Sequence, residues 1–156
     1  MCVEINTTRS IAAQILRHRS FSFQEFSQRY ADVNELGVPI LPELRKQDTK
    51  NRQNSTDTIS KIDKEIYNTF IKKHFNETLG LYQNMLKNGI AKECARDVLP
   101  MASPSRLYMN GTLRSWIHYC DLRCSNGTQK EHRIIADQVK KLIEEQYPLS
   151  FEAAYG

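Results

Sequence analysis

The sequence predicts one domain of the α/β or α+β class, helix-rich with a small sheet. Its 156 residues suffice for one hydrophobic core and are few for two domains. Hydrophobic residues make up 40% and charged residues 26% of the chain, a globular composition that excludes a disordered protein. Several segments repeat apolar residues with the period of a helix, whereas only short runs are typical of strands. We therefore expect residues 1–156 to form a single unit.

The first part of the chain predicts a strand followed by a helix. We expect a strand over Cys2–Asn6 and a helix that Thr7 or Thr8 caps and that ends near Leu16. Residues 20–30 fit neither the helical nor the strand period, so an irregular loop is expected there. A turn-rich connection and a polar surface loop follow, over residues 37–42 and 47–55.

A long helix is predicted in the middle of the chain. Ser55 or Thr56 would begin it, and Asn88 with Gly89 would end it. A break is expected near residues 76–80. Its apolar residues at helical spacing are Ile59, Ile62, Ile66 and Phe70.

The last part of the chain predicts more helix than strand. We expect a short helix over 90–99, a strand over 106–109, a helix over 113–123 and a last helix over 128–146. Thr128 would cap the last helix, and Pro148 follows its end. The residues expected to face inward are Leu113, Ile117 and Cys120 on one helix and Ile135, Val139, Leu142 and Ile143 on the other.

Charge and composition narrow the class of function. The net charge of +4 is mildly basic, which suggests an anionic ligand more than an extended nucleic-acid surface. No apolar run is long enough to cross a membrane, and Glu4 and Arg9 interrupt any signal-peptide pattern. The four cysteines are too sparse for a disulfide framework. We therefore expect a cytoplasmic protein with reduced thiols.

Polar donors are densest at residues 17–30. Three arginines, one histidine and several serines lie there among phenylalanines. Arginine forks and serine hydroxyls match phosphate oxygens, so the segment suggests a phosphate or nucleotide pocket. The plainer alternative is that Arg17 and Arg19 favour the end of a helix, with Glu25 as an ion-pair partner. A second basic set consists of Arg96, Arg106, Arg114 and Arg123.

Two further kinds of site have weaker support. The residues His118, Cys120, Cys124 and His132 allow a zinc interpretation, but structural zinc sites present two short ligand pairs, and buried thiols are the more ordinary interpretation. No nucleophile elbow and no glycine-rich phosphate loop is present. From the residues alone, the prediction stops at an anion-binding pocket.

Three segments resemble one enzyme family. Arg17-His18-Arg19, seven residues and then Ser27-Gln28-Arg29 resemble the signature of flavin-dependent thymidylate synthases, the ThyX family. Residues 96–100, Arg-Asp-Val-Leu-Pro, resemble the family's Arg-x-x-Leu-Pro segment. Residues 113–123 followed by 129–131 resemble its C-terminal half, so the resemblance extends over nearly the whole chain.

The resemblance implies a methyltransferase with a flavin. Members convert dUMP to dTMP with methylene from methylenetetrahydrofolate and electrons from NADPH through FAD. They form homotetramers whose active sites are shared between subunits. The implied place of action is the cytoplasm, or the host cytoplasm for a viral form, with neither membrane nor nucleic acid as a partner. No metal is implied.

The resemblance also implies the site residues. The dUMP positions are Gln14, Arg17, Glu25, Ser27, Arg29, Arg96 and Arg123. The FAD positions are Arg17, His18, Arg19, Thr112, Arg114 and His118. Arg123 is the catalytic position: a cation beside the N3–O4 edge of uracil stabilises the enolate that forms there. Arg29 and Arg96 could hold the phosphate, and no protein nucleophile is needed.

Two departures from the family pattern bear on activity. The segment Met1–Leu16 ahead of the signature is short for the family, so part of the sheet and some flavin contacts are expected to be missing. Thr112 and His118 stand where asparagine is frequent, and both can still hydrogen-bond. The alternative function is a truncated, inactive domain that binds nucleotides or single-stranded nucleic acid through interleaved phenylalanines and arginines.

Overall fold

The computed structural model describes residues 1–31 and 33–156 and contains a small antiparallel sheet with helices. The strands are β1 (Cys2–Thr8), β2 (Ser22–Glu25), β3 (Lys46–Gln47), β4 (Ser55–Thr56) and β5 (Pro104–Asn110). The helices are α1 (Arg9–Ile15), α2 (Lys61–Lys87), α3 (Lys92–Ala95), α4 (Leu113–Arg123), α5 (Lys130–Gln146) and α6 (Pro148–Tyr155). Turns of 3-10 helix lie at Val33–Leu36 and Arg96–Val98.

The main sheet has β5 at its centre, antiparallel to β1 on one side and to β2 on the other. The predicted strands β1 and β5 are confirmed, and both are longer than predicted. The irregular loop expected at residues 20–30 is wrong in part, because residues 22–25 pair with β5 as an edge strand. Phe23 turns toward the core while Ser22 and Gln24 are exposed, the alternation that a half-buried strand requires.

The core lies between this sheet and helices α1, α4 and α5. Trp116 and Tyr119 of α4 are fully buried, and the indole nitrogen of Trp116 donates to the carbonyl of Met1 at 3.0 Å. The bounds of α4 are as predicted, but its inward face is centred on Trp116 and Tyr119, with Leu113 and Ile117 only half-buried. The ring of Phe21 packs so closely on Gly111 that a Cβ there would lie 2.5 Å from it.

Helix α5 follows the predicted apolar stripe, with Val139 and Ile143 buried. Leu142 departs from the prediction, since it is 38% exposed. Thr128 does not cap this helix; its hydroxyl donates to the carbonyl of Leu122. Helix α6 was not predicted. Its Pro148 stands at the first turn, where a missing N–H costs nothing.

Helix α2 begins later than predicted and does not break. Ser60 caps it by accepting a hydrogen bond from the backbone N–H of Asp63 at 3.1 Å. The helix continues through residues 76–80, and the predicted end at Asn88 and Gly89 is confirmed, with Gly89 at a φ of 79°. The polar loop expected at 47–55 is closed by a short hairpin of β3 and β4.

The C-terminal part of α2 packs against α3 and the 3-10 turn that follows it. Tyr82, in its C-terminal part, is buried beside Ala95 in a second small core. The predicted apolar stripe is exposed instead: Ile62 is 70%, Ile66 47% and Phe70 65% exposed. None of the described helices has the length and apolar character needed to cross a membrane.

Candidate active site

The Arg-His-Arg segment of the signature lies immediately after α1. Leu16 ends the helix, and the backbone N–H of His18 donates to the carbonyl of Ile15 at 3.1 Å. Arg17 and Arg19 are exposed, whereas the ring of His18 is half-buried against the ring of Tyr119 at 5.0 Å between centroids. The turn therefore directs the imidazole into the molecule and leaves the two guanidinium groups at its surface.

His18 contacts the side chain predicted to be catalytic. The Nε–H of Arg123 donates to Nε2 of His18 at 2.9 Å, so that nitrogen is unprotonated. Burial, the charge of Arg123 and the charge of His118 lower the pKa of His18 to about 4. A neutral imidazole can accept this bond, whereas an imidazolium would repel the guanidinium. Within the described chain, the remaining nitrogens of Arg123 have no hydrogen-bond or ion-pair partner.

Gln14 lies at the same end of the molecule as Arg123. Its amide oxygen is 3.3 Å from Nδ1 of His132, and its amide nitrogen donates to the side-chain oxygen of Gln129 at 2.7 Å. His132 is fully buried and its Nε2 lies 3.1 Å from the hydroxyl of Tyr119. The ends of α1 and α4 and the start of α5 thus meet around Gln14, His18 and Arg123.

Glu25 and Ser27 form a second group beside the sheet. The hydroxyl of Ser105 on β5 donates to the carboxylate of Glu25 at 2.6 Å. Both signature residues line a cavity of about 350 Å³ together with Arg106 and Tyr108. This cavity offers carboxylate and hydroxyl oxygens as well as the Arg106 guanidinium.

Arg29 and Arg96 form a third group, joined by one glutamate. A guanidinium nitrogen of Arg29 contacts the carboxylate of Glu93 at 3.1 Å, and the Nε of Arg96 donates to the carbonyl of Glu93 at 3.3 Å. The side chains of Arg29 and Glu93 are 52% and 55% exposed. Two cations from distant parts of the sequence therefore share one exposed surface, as recognition of an anion requires.

The remaining predicted residues lie along α4. Thr112 caps the helix, since its hydroxyl accepts from the backbone N–H of Ser115 at 3.2 Å. Arg114 and His118 are exposed. Arg114 borders an open apolar cavity between α4 and α6, whereas His118 is near enough to His18 to lower its pKa.

Most of the predicted residues thus fall into three groups, and Thr112, Arg114 and His118 lie apart from them along α4. Among the described residues, no hydrogen bond or ion pair joins the group around Arg123 to the Glu25 group or to the Arg29 group. Each group presents its polar atoms at the surface of the single chain.

Comparison with known proteins identifies the family. The family model described as thymidylate synthase complementing protein matches residues 1–149. The chain belongs to this family. A probable flavin-dependent thymidylate synthase of Paramecium bursaria Chlorella virus 1 is 51% identical over 95% of this chain and 68% of its own length. The flavin-dependent thymidylate synthase of Synechocystis is 50% identical over 95% of this chain and 67% of its own length.

A solved structure has the same fold. The UMP/dUMP methylase PolB from Streptomyces cacaoi, bound with 5-Br UMP, superposes with a TM-score of 0.89 at 26% identity. The match covers 98% of this chain and 72% of that one. The predicted fold and the predicted enzyme, a flavin-dependent methyltransferase of the thymidylate synthase type, are confirmed, and the truncated, inactive alternative is not favoured.

The flavin implied by this family fits the cations present. The guanidinium groups of Arg17, Arg19 and Arg114 make no hydrogen bond or ion pair with the described residues, and all three side chains are exposed. Unpaired guanidinium groups suit the phosphates of a flavin nucleotide, and His18 adds a flat, half-buried ring. These residues could therefore hold a flavin nucleotide.

The zinc interpretation receives no geometric support. Within residues 1–31 and 33–156, no group of three or more His, Cys, Asp or Glu side chains could hold a metal ion. Burial raises the pKa of Cys120 to about 12 and that of Cys124 to about 11, so both remain thiols. Thiols with raised pKa values are poor nucleophiles and poor metal ligands.

Sequence reasoning missed several residues of these groups. Glu93 lies 64 positions from Arg29 and Ser105 lies 80 positions from Glu25, so no local pattern indicates these two contacts. Tyr119 appears only as one position of an amphipathic helix. Gln129 and Glu131 lie in one of the segments that resemble the family. The sequence of this segment does not predict the hydrogen bond between Gln129 and Gln14.

Proposed function

We propose that this enzyme methylates dUMP to dTMP, taking the methylene from methylenetetrahydrofolate and electrons from NADPH through FAD. The family match supports the enzyme class. The two relatives named above are described as flavin-dependent thymidylate synthases, which supports a flavin cofactor and a thymidylate product. The methylase PolB, with a brominated dUMP bound in its other solved structure, supports a uridine nucleotide as the substrate. We place this activity in the cytoplasm, or in a host's cytoplasm for a viral enzyme.

The observation that supports this function best is the contact of Arg123 with His18. The imidazole accepts from Nε and thereby holds the guanidinium in one orientation. The two terminal nitrogens of Arg123 have no partner among the described residues and stay available as a donor pair. Placed beside the N3–O4 edge of uracil, they would stabilise negative charge on O4 while the ring is reduced and methylated. A fixed cation is better than a mobile one, because no reorientation is needed during reaction.

The phosphate of dUMP would lie on Arg29 and Arg96. Their shared neighbour Glu93 keeps both cations on one surface while no anion is bound. A phosphate dianion offers several acceptor oxygens and would displace the weak, exposed contact between Arg29 and Glu93. Glu25 and Ser27 would hydrogen-bond the rest of the nucleotide, and Gln14 would add an amide donor.

The flavin would lie against Arg17, His18, Arg19, Thr112, Arg114 and His118. When bound, it passes electrons from NADPH to the substrate. The protein's own part is to bind, orient and polarise, which agrees with the inert thiols of Cys120 and Cys124. His18 would serve both ligands, because the same ring that holds Arg123 borders the exposed signature arginines.

We further propose a homotetramer with active sites shared between subunits. The apolar stripe of α2 supports this, since Ile62, Ile66 and Phe70 form one exposed face on a 27-residue helix. A second copy of the same stripe would cover it in an antiparallel or crossed helix pair. Helix α3, which lies beside Arg29 and Arg96, packs against the C-terminal part of this same helix α2.

The test is a visible absorption spectrum of the purified protein reconstituted with FAD and titrated with dUMP. We expect a bound-flavin spectrum that changes saturably with dUMP, followed by dUMP-dependent oxidation of NADPH when methylenetetrahydrofolate is present. Uridine without a phosphate is the matched control and should bind far more weakly. A folded sample that binds flavin but shows no response to dUMP contradicts the proposed substrate.

A further inference from the structure

Five side chains form an unbroken series of hydrogen-bond contacts from the core to the surface. The Tyr119 hydroxyl lies 3.1 Å from Nε2 of His132, and Nδ1 of His132 lies 3.3 Å from the amide oxygen of Gln14. The amide nitrogen of Gln14 lies 2.7 Å from the oxygen of Gln129. The amide nitrogen of Gln129 lies 2.9 Å from the carboxylate of Glu131. His132 is fully buried in the middle of the series.

The carboxylate of Glu131, at the surface end of the series, determines which partner donates and which accepts in each hydrogen bond. Burial raises the pKa of Glu131, but hydrogen bonds from its backbone N–H, Gln129 and Arg45 outweigh this and leave the pKa lowered. The guanidinium of Arg45 contacts the carboxylate at 2.8 Å, so Glu131 is ionised and can only accept. Gln129 must therefore turn its NH₂ group toward Glu131 and its oxygen toward Gln14.

The same reasoning propagates to the core. An oxygen of Gln129 that faces Gln14 requires the NH₂ group of Gln14 on that side, so the oxygen of Gln14 faces His132. Nδ1 of His132 must then carry the proton, since two acceptors cannot share a contact. Its Nε2 is left to accept from the Tyr119 hydroxyl.

The protonation states of the core groups agree with this order. Burial, first of all, and the charges of Arg123 and His18 lower the pKa of His132 to about 4, so the ring is neutral at physiological pH. Burial raises the pKa of Tyr119, so its hydroxyl keeps the proton that it donates. Reversing either amide would place two oxygens against each other on one side and two N–H donors against each other on the other side.

We propose that His132 and Tyr119 are positioning residues that fix the amide of Gln14, so that Gln14 meets dUMP as a hydrogen-bond donor. This rests on the proposed function, in which Gln14 contacts the nucleotide. One N–H of the Gln14 amide is used by Gln129, and the second has no partner among the described residues. Without Nδ1–H of His132, the amide would keep only its bond to Gln129, and rotation about that bond would no longer hold the second N–H toward the nucleotide.

The first test reads the hydrogen-bond direction itself. Long-range ¹H–¹⁵N spectra of the full chain, with His132 assigned by its loss in His132→Leu, report which ring nitrogen is protonated. We expect the Nδ1–H form at neutral pH. The Nε2–H form would overturn the proposal, and so would an imidazolium.

The second test is a double-mutant cycle on dUMP affinity, read from the flavin spectrum of the reconstituted protein. Gln14→Leu and His132→Leu should each weaken dUMP binding about three- to tenfold, the value of one oriented hydrogen bond. In the Gln14→Leu background, His132→Leu should add almost nothing to that loss. His132→Asn, which keeps an amide donor near the position of Nδ1, should restore most of the affinity.

A merely structural role for His132 gives a different pattern. The melting temperature then falls equally in both backgrounds and the losses of dUMP affinity add, which overturns the proposal. The failure of the inference is also distinct from failure of the proposed function. If the flavin spectrum of the wild-type protein does not change with dUMP, both the proposed function and this inference are overturned. If it changes, and His132→Leu has the same dUMP affinity as the wild type, only the inference is overturned.

Discussion

Helices α4 and α2 show the same pattern of apolar residues but differ in what covers it. On α4, Trp116 and Tyr119 are fully buried against the sheet and α5. On α2, Ile62 and Phe70 also lie on one face of the helix, and they are 70% and 65% exposed. Apolar residues repeated with the period of a helix indicate that this face will be buried. They do not indicate whether the residues that bury it belong to the same chain or to another one.

The candidate active site divides along the same boundary. Arg123, His18 and Gln14 are held by the buried part of the molecule, where each has an identified partner. Arg29 and Arg96 lie on the other part, on an exposed surface beside α3 and near α2. The first group is therefore organised within one chain, whereas the second would be completed by the proposed assembly.

The largest expected difference between α4 and α2 is in the stability effect of replacing one aromatic residue on each helix. Trp116→Ala should lower the free energy of unfolding by about 3–5 kcal/mol, since it leaves a cavity and removes one of the two hydrogen bonds to the Met1 carbonyl. Phe70→Ala should lower it by an amount that depends on protein concentration, because its contacts are with another copy. Urea unfolding at several protein concentrations distinguishes the two. A concentration-independent loss for Phe70→Ala contradicts the comparison.

Removing the predicted catalytic cation should affect rate without affecting the fold. Arg123→Ala should lower kcat by about 10²–10³, as expected for the loss of a fixed donor beside a developing negative charge. The melting temperature should change little, because the side chain is not part of the apolar core. Arg52→Ala, at the exposed tip of the β3–β4 hairpin, is the matched control. Equal rates for the two variants would remove Arg123 from the chemistry.

A charge on the exposed stripe should weaken assembly. Ile66→Glu should cost about 1–3 kcal/mol per subunit, because a charged group would be taken out of water without a partner. Light scattering after gel filtration should show a smaller mass than for the wild type. Lys72→Glu changes charge on the same helix at an exposed position and should leave the mass unchanged. An unaltered mass for Ile66→Glu rules out this face as the interface.

Lowering the pH should destabilise the folded protein through His18 and His132. His18 and His132 have pKa values of about 4 in the folded state, below the ordinary value of 6.5. Between these values the unfolded chain binds more protons, so stability is full above about pH 6.5 and declines as the pH falls toward 4. Melting temperatures at several pH values should show this decline. His132→Leu should make the decline shallower, and an unchanged slope contradicts the assignment.

How far sequence reasoning reaches depends on where the partners of each residue lie. The bounds of α4 and the end of α2 depend on nearby caps and on period, so they could be predicted. Strand β2 could not, because only pairing with β5, more than eighty positions away, makes residues 22–25 extended. The dUMP and FAD positions came from family resemblance. The partners Glu93, Ser105 and Gln129 required the fold itself.

The smallest expected effect on stability is that of the exposed ion pair between Arg29 and Glu93. Removing this pair tests its role in dUMP binding. Glu93→Gln should change the free energy of unfolding by less than about 0.5 kcal/mol, because both side chains are about half exposed and salt screens their attraction. It should nevertheless tighten dUMP binding several-fold, since the phosphate would no longer meet a carboxylate beside Arg29 and Arg96. Added salt should reduce the gain. Weaker dUMP binding in Glu93→Gln would mean that the carboxylate orients Arg29 rather than competing with the phosphate for it, and the variant's affinity for free phosphate would then fall in parallel.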